Sequence, residues 1–181
     1  MNIKTIILGA SGVGKTRFLN HLRKTTMTSY CPTIGVDFVV YRGNYSVTLQ
    51  IWDTSGSNRF KSVVNNFLKG CDLIVFVYND KQTFEHMMQM IADVKDEEYG
   101  KRFCILSLGN VELGKIVAAK YGFFFFHVNI KKREDCLSVL NKLSHLCYEE
   151  QLRTNFLKLK SSSDFSVERP RESGYCWWSF C

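Results

Sequence analysis

The chain has 181 residues, 45% of them hydrophobic, enough for one substantial core and hardly two, so a single domain followed by a tail is expected. The first apolar run, Ile6 to Leu8, is too short for a signal-peptide core, and no other run approaches membrane-spanning length, so the reading is a cytoplasmic protein that starts out soluble. A formal charge of +7 points to an anionic partner, and seven cysteines, an odd number with no CxxC pair, argue against a zinc site or a disulfide framework.

The first strand is predicted at Ile3 to Leu8, and the sequence GASGVGKT follows it directly. Gly9, Ala10, Ser11, Gly12, Val13, Gly14, Lys15 and Thr16 satisfy GxxxxGK(S/T) between a strand and a helical segment, which is the context a phosphate-binding loop requires. Glycines let the backbone curl so that successive N–H groups face phosphate oxygens, and the following helix adds the positive end of its dipole. Lys15 is the cation for the β and γ phosphates, and Thr16 is a candidate ligand for Mg2+. Met1 to Val36 carries five Lys and Arg and no Asp or Glu. Nucleic-acid binding would call for basic stripes interleaved with stacking aromatics, whereas this basic region surrounds one glycine-rich loop, so a single phosphorylated ligand explains it and no nucleic-acid partner is expected. A solvated basic face accounts equally for Arg23 and Lys24, but not for Lys15.

Strands two and three are predicted at Val36 to Tyr41 and Val47 to Trp52, joined as a hairpin through Arg42, Gly43 and Asn44. Asp53 and Gly56 then form DxxG: the carboxylate is suited to magnesium, usually through water, and the glycine N–H to a γ-phosphate. Further strands are predicted at Leu73 to Tyr78, Phe103 to Leu108 and Phe123 to Val128, separated by longer, partly helical segments. Six strands so connected make a mostly parallel sheet with one antiparallel edge, an α/β layered architecture. Leu137, Leu140, Leu143 and Cys147 mark the buried face of a helix from Glu134 to Glu150 that closes the domain. From Ser161 the composition turns to Ser, Asp, Glu, Arg and Pro170, that of a linker.

With these residues assembled, the sequence resembles the Rab branch of Ras-like small GTPases. The resemblance is carried by TIGVDF (Thr33 to Phe38), LQIWDTSG (Leu49 to Gly56), NRF (Asn58 to Phe60) and LKG (Leu68 to Gly70), and it covers most of Ile3 to Tyr148. It implies a three-layer P-loop small-GTPase fold, a GTPase domain over residues 1–150 and a flexible tail over 151–181. It further implies a monomeric GTP/GDP switch with Mg2+ that acts in vesicle and membrane trafficking. The expected partners are effector proteins in the GTP state, GTPase-activating proteins and exchange proteins. Thr33 would be the switch threonine that closes on magnesium and the γ-phosphate. Ile34 and Gly35, with the aromatic set Phe38, Trp52 and Phe67, would meet effectors; Phe67 stands where the family usually has Tyr. Ordinary core packing is the other reading of Trp52.

The chain departs from that pattern in four places. The guanine-reading NKxD appears as Asn110, Val111 and Glu112, one residue shorter and without its lysine, so Asn110 and Glu112 are left to meet the base. The later SAK has become Asn129, Ile130, Lys131, where the Ile130 N–H would serve O6. Thr16 to Thr33 is one residue shorter than usual, and Thr26 or Met27 falls where an aromatic normally stacks on the base. Ser57 replaces the glutamine that positions the attacking water, which predicts slow intrinsic hydrolysis with binding intact. A pseudo-GTPase, an interaction module with impaired nucleotide cycling, is the competing reading. In the tail GYCWWSFC, Cys181 resembles a prenylated Rab cysteine and Cys176 a second candidate; no CaaX box is present, since Trp178 occupies the cysteine position. One lipid gives marginal attachment, to which Trp177, Trp178, Phe180, Arg169 and Arg171 would add, so reversible association with a membrane surface is expected. An unmodified tail that docks its aromatics on the domain or on a partner remains the alternative.

Overall fold

The computed structural model describes residues 1–23, 33–95 and 102–162. Alternation of buried side chains on β1 (Asn2–Gly9), β4 (Leu73–Tyr78) and β5 (Arg102–Ser107) explains why helices cover both faces of one sheet. Ile3, Ile7, Val75, Val77, Cys104 and Leu106 point to one side, where Phe18 and Leu19 of α1 (Lys15–Arg23) and Cys136, Val139, Leu140, Leu143 and Cys147 of α5 (Arg133–Ser162) complete a core. The intervening residues Ile6, Leu8, Ile74, Phe76, Tyr78 and Ile105 point to the other side. There they meet Val64 and Leu68 of α2 (Lys61–Leu68), Met87, Ile91 and Val94 of α3 (Lys81–Lys95), and Val117 and Ala118 of α4 (Glu112–Tyr121). All six residues of β4 are buried, as a central parallel strand covered on both faces must be.

The sheet order is β2-β3-β1-β4-β5-β6, with β2 (Val36–Arg42), β3 (Thr48–Thr54) and β6 (Phe124–His127) completing it. Only β2 with β3 is antiparallel; β1 pairs in parallel with both β3 and β4. This is the six-stranded, mostly parallel, three-layer fold that the sequence predicts. The hairpin reverses one step later than expected: the Val47 N–H donates to the Asn44 carbonyl at 3.3 Å across Tyr45 (φ 60°) and Ser46 (φ 56°). Two successive left-handed residues make a turn whose twist suits a hairpin, at a cost for residues with a Cβ. The Tyr45 ring offsets that cost by stacking on Tyr148 at 5.3 Å and meeting His145 at 4.9 Å.

The chain divides into two compact units, Met1–Glu149 and Glu150–Cys181, and the whole sheet lies in the first. The predicted end of the last helix at Glu150 is corrected, because α5 continues to Ser162. The buried spacing does stop near Cys147, but no Gly or Pro interrupts the helix-forming residues that follow. In the second unit Gln151 donates to Asn155 at 3.3 Å and the Thr154 hydroxyl to the Glu150 carbonyl at 2.9 Å, while Leu152 and Leu157 are exposed.

Behind the cleft-bearing edge of the sheet, the buried Tyr78 hydroxyl donates to the Asn110 carbonyl and accepts the Gly114 N–H at 3.0 Å. A Cβ on Gly114 would lie 2.4 Å from that hydroxyl and 2.6 Å from Phe125 Cε2. Glycine to alanine inside a helix ordinarily stabilises by about 1 kcal/mol. Here overpacking against a rigid buried ring decides the sign, so Gly114→Ala is expected to lower stability by about 1–3 kcal/mol in urea denaturation; unchanged or increased stability would contradict this packing.

Candidate nucleotide site

The phosphate loop leaves β1 at Gly9 and enters α1 at Lys15, so its backbone donors and a helix N-terminus share one end of the sheet. Close approach requires glycine at two points. A Cβ on Gly9 would lie 2.5 Å from the Val77 carbonyl oxygen of β4, and one on Gly56 would lie 2.3 Å from the Ser11 nitrogen and 2.4 Å from the Ala10 carbonyl carbon. Gly56 therefore rests directly on the phosphate loop, joining the DxxG segment to GASGVGKT.

Lys15 is buried, and its ammonium donates to the Gly9 carbonyl at 2.7 Å and the Ala10 carbonyl at 2.9 Å. Burial lowers its pKa to about 8, with Asp53 opposing the fall. The Thr16 hydroxyl donates to Asp53 Oδ2 at 2.6 Å and lies 2.8 Å from the Thr33 hydroxyl, which is itself 3.5 Å from the same carboxylate oxygen. The three residues predicted to hold a metal thus converge on one point from α1, from the segment before β2, and from the end of β3.

These groups open onto a cleft of about 790 Å³ lined by Ser11 to Arg17, Thr33, Ile34 and Thr54 to Ser57, with Asn79, Leu108 and Ile130 also in its wall. Ser57 lies in the cleft, its N–H donating to the Ser55 hydroxyl at 3.3 Å. Arg59 and Phe60, in the short 3-10 turn Asn58–Phe60, also line it; in the sequence they stand out only as part of NRF. Asn79 and Leu108 were missed as well, since neither belongs to a phosphate or base motif and both reach the cleft only through their places at the ends of β4 and β5.

The base-reading candidates are spread more widely. Asn110 is exposed, its side-chain oxygen accepting the Glu112 N–H at 3.1 Å, and neither residue is among those lining the cleft. Glu112 opens α4, is largely exposed, and lies 3.7 Å from the Lys115 ammonium. Ile130 does reach the cleft: its Cδ1 would lie 3.0 Å from a Cβ on Gly14.

Phe38, Trp52 and Phe67 form a continuous aromatic row, with centroids 4.8 Å apart from Phe38 to Trp52 and 4.8 Å from Trp52 to Phe67. Phe38 is 43% exposed, whereas Trp52 and Phe67 pack against the core on the α2 and α3 side. Ile34 is 82% exposed beside Gly35, whose carbonyl accepts the Ser55 N–H at 2.8 Å. Thr26, Met27, Cys176, Cys181 and the tail aromatics lie outside the described residues.

A family model described as "Ras of Complex, Roc, domain of DAPkinase" matches residues 4–112. The chain is 30% identical over 146 residues to the Ras-related protein Rab-3B of Bos taurus, covering 71% of this chain and 66% of that relative. It is 28% identical over 172 residues to the Ras-related protein Rab-1 of Theileria parva, covering 92% and 69%. Over 89 residues it is 45% identical to the Ypt/Rab-type GTPase Rab7 of Gibberella zeae, covering 46% and 43%. The chain thus spans about 66% of the length of its Rab-3B relative. With a phosphate loop, a threonine and aspartate brought to one point, and a sheet order that explains both, the chain belongs to the Ras-like Roc family that this model describes.

Proposed function

We propose that this protein is a Rab-like switch that binds GTP or GDP with a magnesium ion, hydrolyses GTP slowly and recruits effector proteins in membrane trafficking. The observation that carries the reading is the convergence of Thr16, Thr33 and Asp53 within 2.6, 2.8 and 3.5 Å beside the buried Lys15. Hard oxygen donors next to a phosphate cradle fit magnesium, which takes few protein ligands and fills its shell with water and phosphate oxygens. When bound, the ion would neutralise charge on the phosphates. Lys15 would exchange its two carbonyl acceptors for phosphate oxygens, and the loop N–H groups and Gly56 would close the cradle. Thr33, from the switch segment, would report the γ-phosphate to Ile34, Gly35 and the aromatic row, the surface on which effectors would dock. Activating and exchange proteins belong to the same cycle, and attachment to membranes through a lipid on Cys181 or Cys176 rests on the family resemblance alone. The placement of Asn110 and Glu112 away from the cleft wall favours modest guanine discrimination and is the observation behind the second reading, an interaction module with impaired cycling.

Lys15 gives the phosphate reading a pH signature. Its pKa in the free protein is about 8, lowered by burial, and bound phosphate raises it, so the favourable charge is present below about 8 and lost as pH rises from there. Calorimetric titration with GDP is expected to show affinity nearly constant from pH 7 to 8 and falling by up to about tenfold per unit above it. Lys15→Ala is expected to bind weakly with no such slope; a flat wild-type profile, or tighter binding of ATP than of GTP, would count against the reading.

The serine hydroxyl at position 57 is too short to bridge an attacking water and a phosphate as a carboxamide does. Ser57→Gln is therefore expected to speed single-turnover GTP hydrolysis by roughly tenfold or more with nucleotide affinity unchanged. An unchanged rate in a variant that still binds GTP would assign the slow step elsewhere.

For the aromatic row, Phe38→Ala is expected to abolish capture of an effector by protein loaded with a non-hydrolysable GTP analogue while leaving the melting temperature within a few degrees, because its ring is partly exposed. Trp52→Ala is expected to cost about 3 kcal/mol or more of stability as well. Loss of folding in the Phe38 variant would assign that ring to the core instead.

A further inference from the structure

The base end of the cleft is held by a residue that no motif contains. His21, near the end of α1, places its Nε2 2.8 Å from the carbonyl oxygen of Ile130, 109 residues away. A carbonyl can only accept, so the imidazole donates and its proton sits on Nε2. A second tie runs back: the first residue of α5, Arg133, donates its Nε–H to the His21 carbonyl at 3.0 Å. Around Ile130 the turn is fixed by its own bonds, with the Asn129 side chain accepting the Lys131 N–H at 3.0 Å and the Asn129 carbonyl accepting the Lys132 N–H at 2.9 Å. The Ile130 side chain is pressed against Gly14 of the phosphate loop. Its own N–H makes no hydrogen bond among the described residues.

We infer that His21 is the positioning residue for purine selection: by holding the Ile130 carbonyl, it fixes the neighbouring N–H of Ile130 as the donor that favours a 6-keto purine over a 6-amino one. The inference rests on the nucleotide reading of the cleft. A fixed backbone N–H donates to a carbonyl oxygen and opposes an amino group, which is also a donor, so a held donor discriminates where a mobile one turns away. The assignment falls here because Glu112 is exposed beside Lys115, and Asn110 bonds the Glu112 N–H rather than lining the cleft. α1 then serves both ends of the ligand, with Lys15 and Thr16 at its start and His21 near its finish.

The test compares GDP, IDP and ADP binding by the full chain with His21 as it stands, His21→Ala and His21→Gln, alongside amide hydrogen exchange of the nucleotide-free proteins. IDP keeps the 6-keto oxygen and lacks the 2-amino group, whereas ADP carries a 6-amino group. His21→Ala is expected to weaken GDP and IDP about fivefold each, the worth of one oriented hydrogen bond, and to leave ADP unchanged. It is also expected to raise exchange at residues 129–132 without raising it in β6. His21→Gln, which retains a donor at similar reach, is expected to restore both properties; if the alanine variant does not fold, the glutamine variant's keto-over-amino ratio carries the test alone and must match that of the wild type. Equal loss for all three nucleotides, loss confined to GDP, or no change in any would overturn the inference. A wild type that binds none of the three would overturn the nucleotide reading itself, and this inference with it.

Discussion

Parallel pairing of β1 with β3 on one side and β4 on the other places Ile7 beside Asp53 and Gly9 beside Val77. Strands that run the same way end together, so the chain leaving β1 as the phosphate loop and the chain leaving β3 as DxxG emerge at one edge. The 2.6 Å bond from Thr16 to Asp53 and the contact of Gly56 on Ser11 follow from that register. A slip of one residue would turn Asp53 to the other face of the sheet and separate them.

Such a junction concentrates electrostatic tension. Lys15 is buried among carbonyls at a depth that lowers its pKa to about 8, and the nearby Asp53 only partly compensates. Removing a cation from water costs more than two carbonyl hydrogen bonds return, whereas phosphate oxygens would return charge as well. The end of the cleft around Lys15 therefore carries a cost that the charge of a bound phosphate would relieve.

The base end is built differently. Asn110 and Glu112 sit at the start of α4, and Ile130 in the turn after β6, so their geometry depends on loops rather than on strand register. Tyr78 ties the Asn110 carbonyl from beneath, and His21 ties the Ile130 carbonyl from the side. The Ser107 hydroxyl, at the end of β5, also donates to the Asn110 carbonyl at 2.8 Å, so both loops are anchored by side chains from rigid elements. Substitutions in the base motifs can thus accumulate without disturbing the sheet, while the phosphate motifs cannot change without disturbing it.

GASGVGKT was legible because its signal is local: consecutive residues bend one backbone segment, and the flanking strand and helix announce themselves by periodicity. The sheet's strands were legible for the same reason, and the pairing of Phe38 with Trp52 follows from the hairpin register. Other features were not legible. The continuation of α5 to Ser162 carries no buried stripe to mark it, Leu137 proved to be only partly buried, and the face turned to the core is instead Cys136, Val139, Leu140, Leu143 and Cys147. The exposed placement of Glu112 and the bond between His21 and Ile130 were decided only by tertiary structure, as were the distances at which Thr16, Thr33 and Asp53, assigned to one metal from the sequence, actually meet. Side-chain alternation tells a strand which faces to bury but not which strands will flank it, and contacts between residues distant in sequence are set by that choice of neighbours.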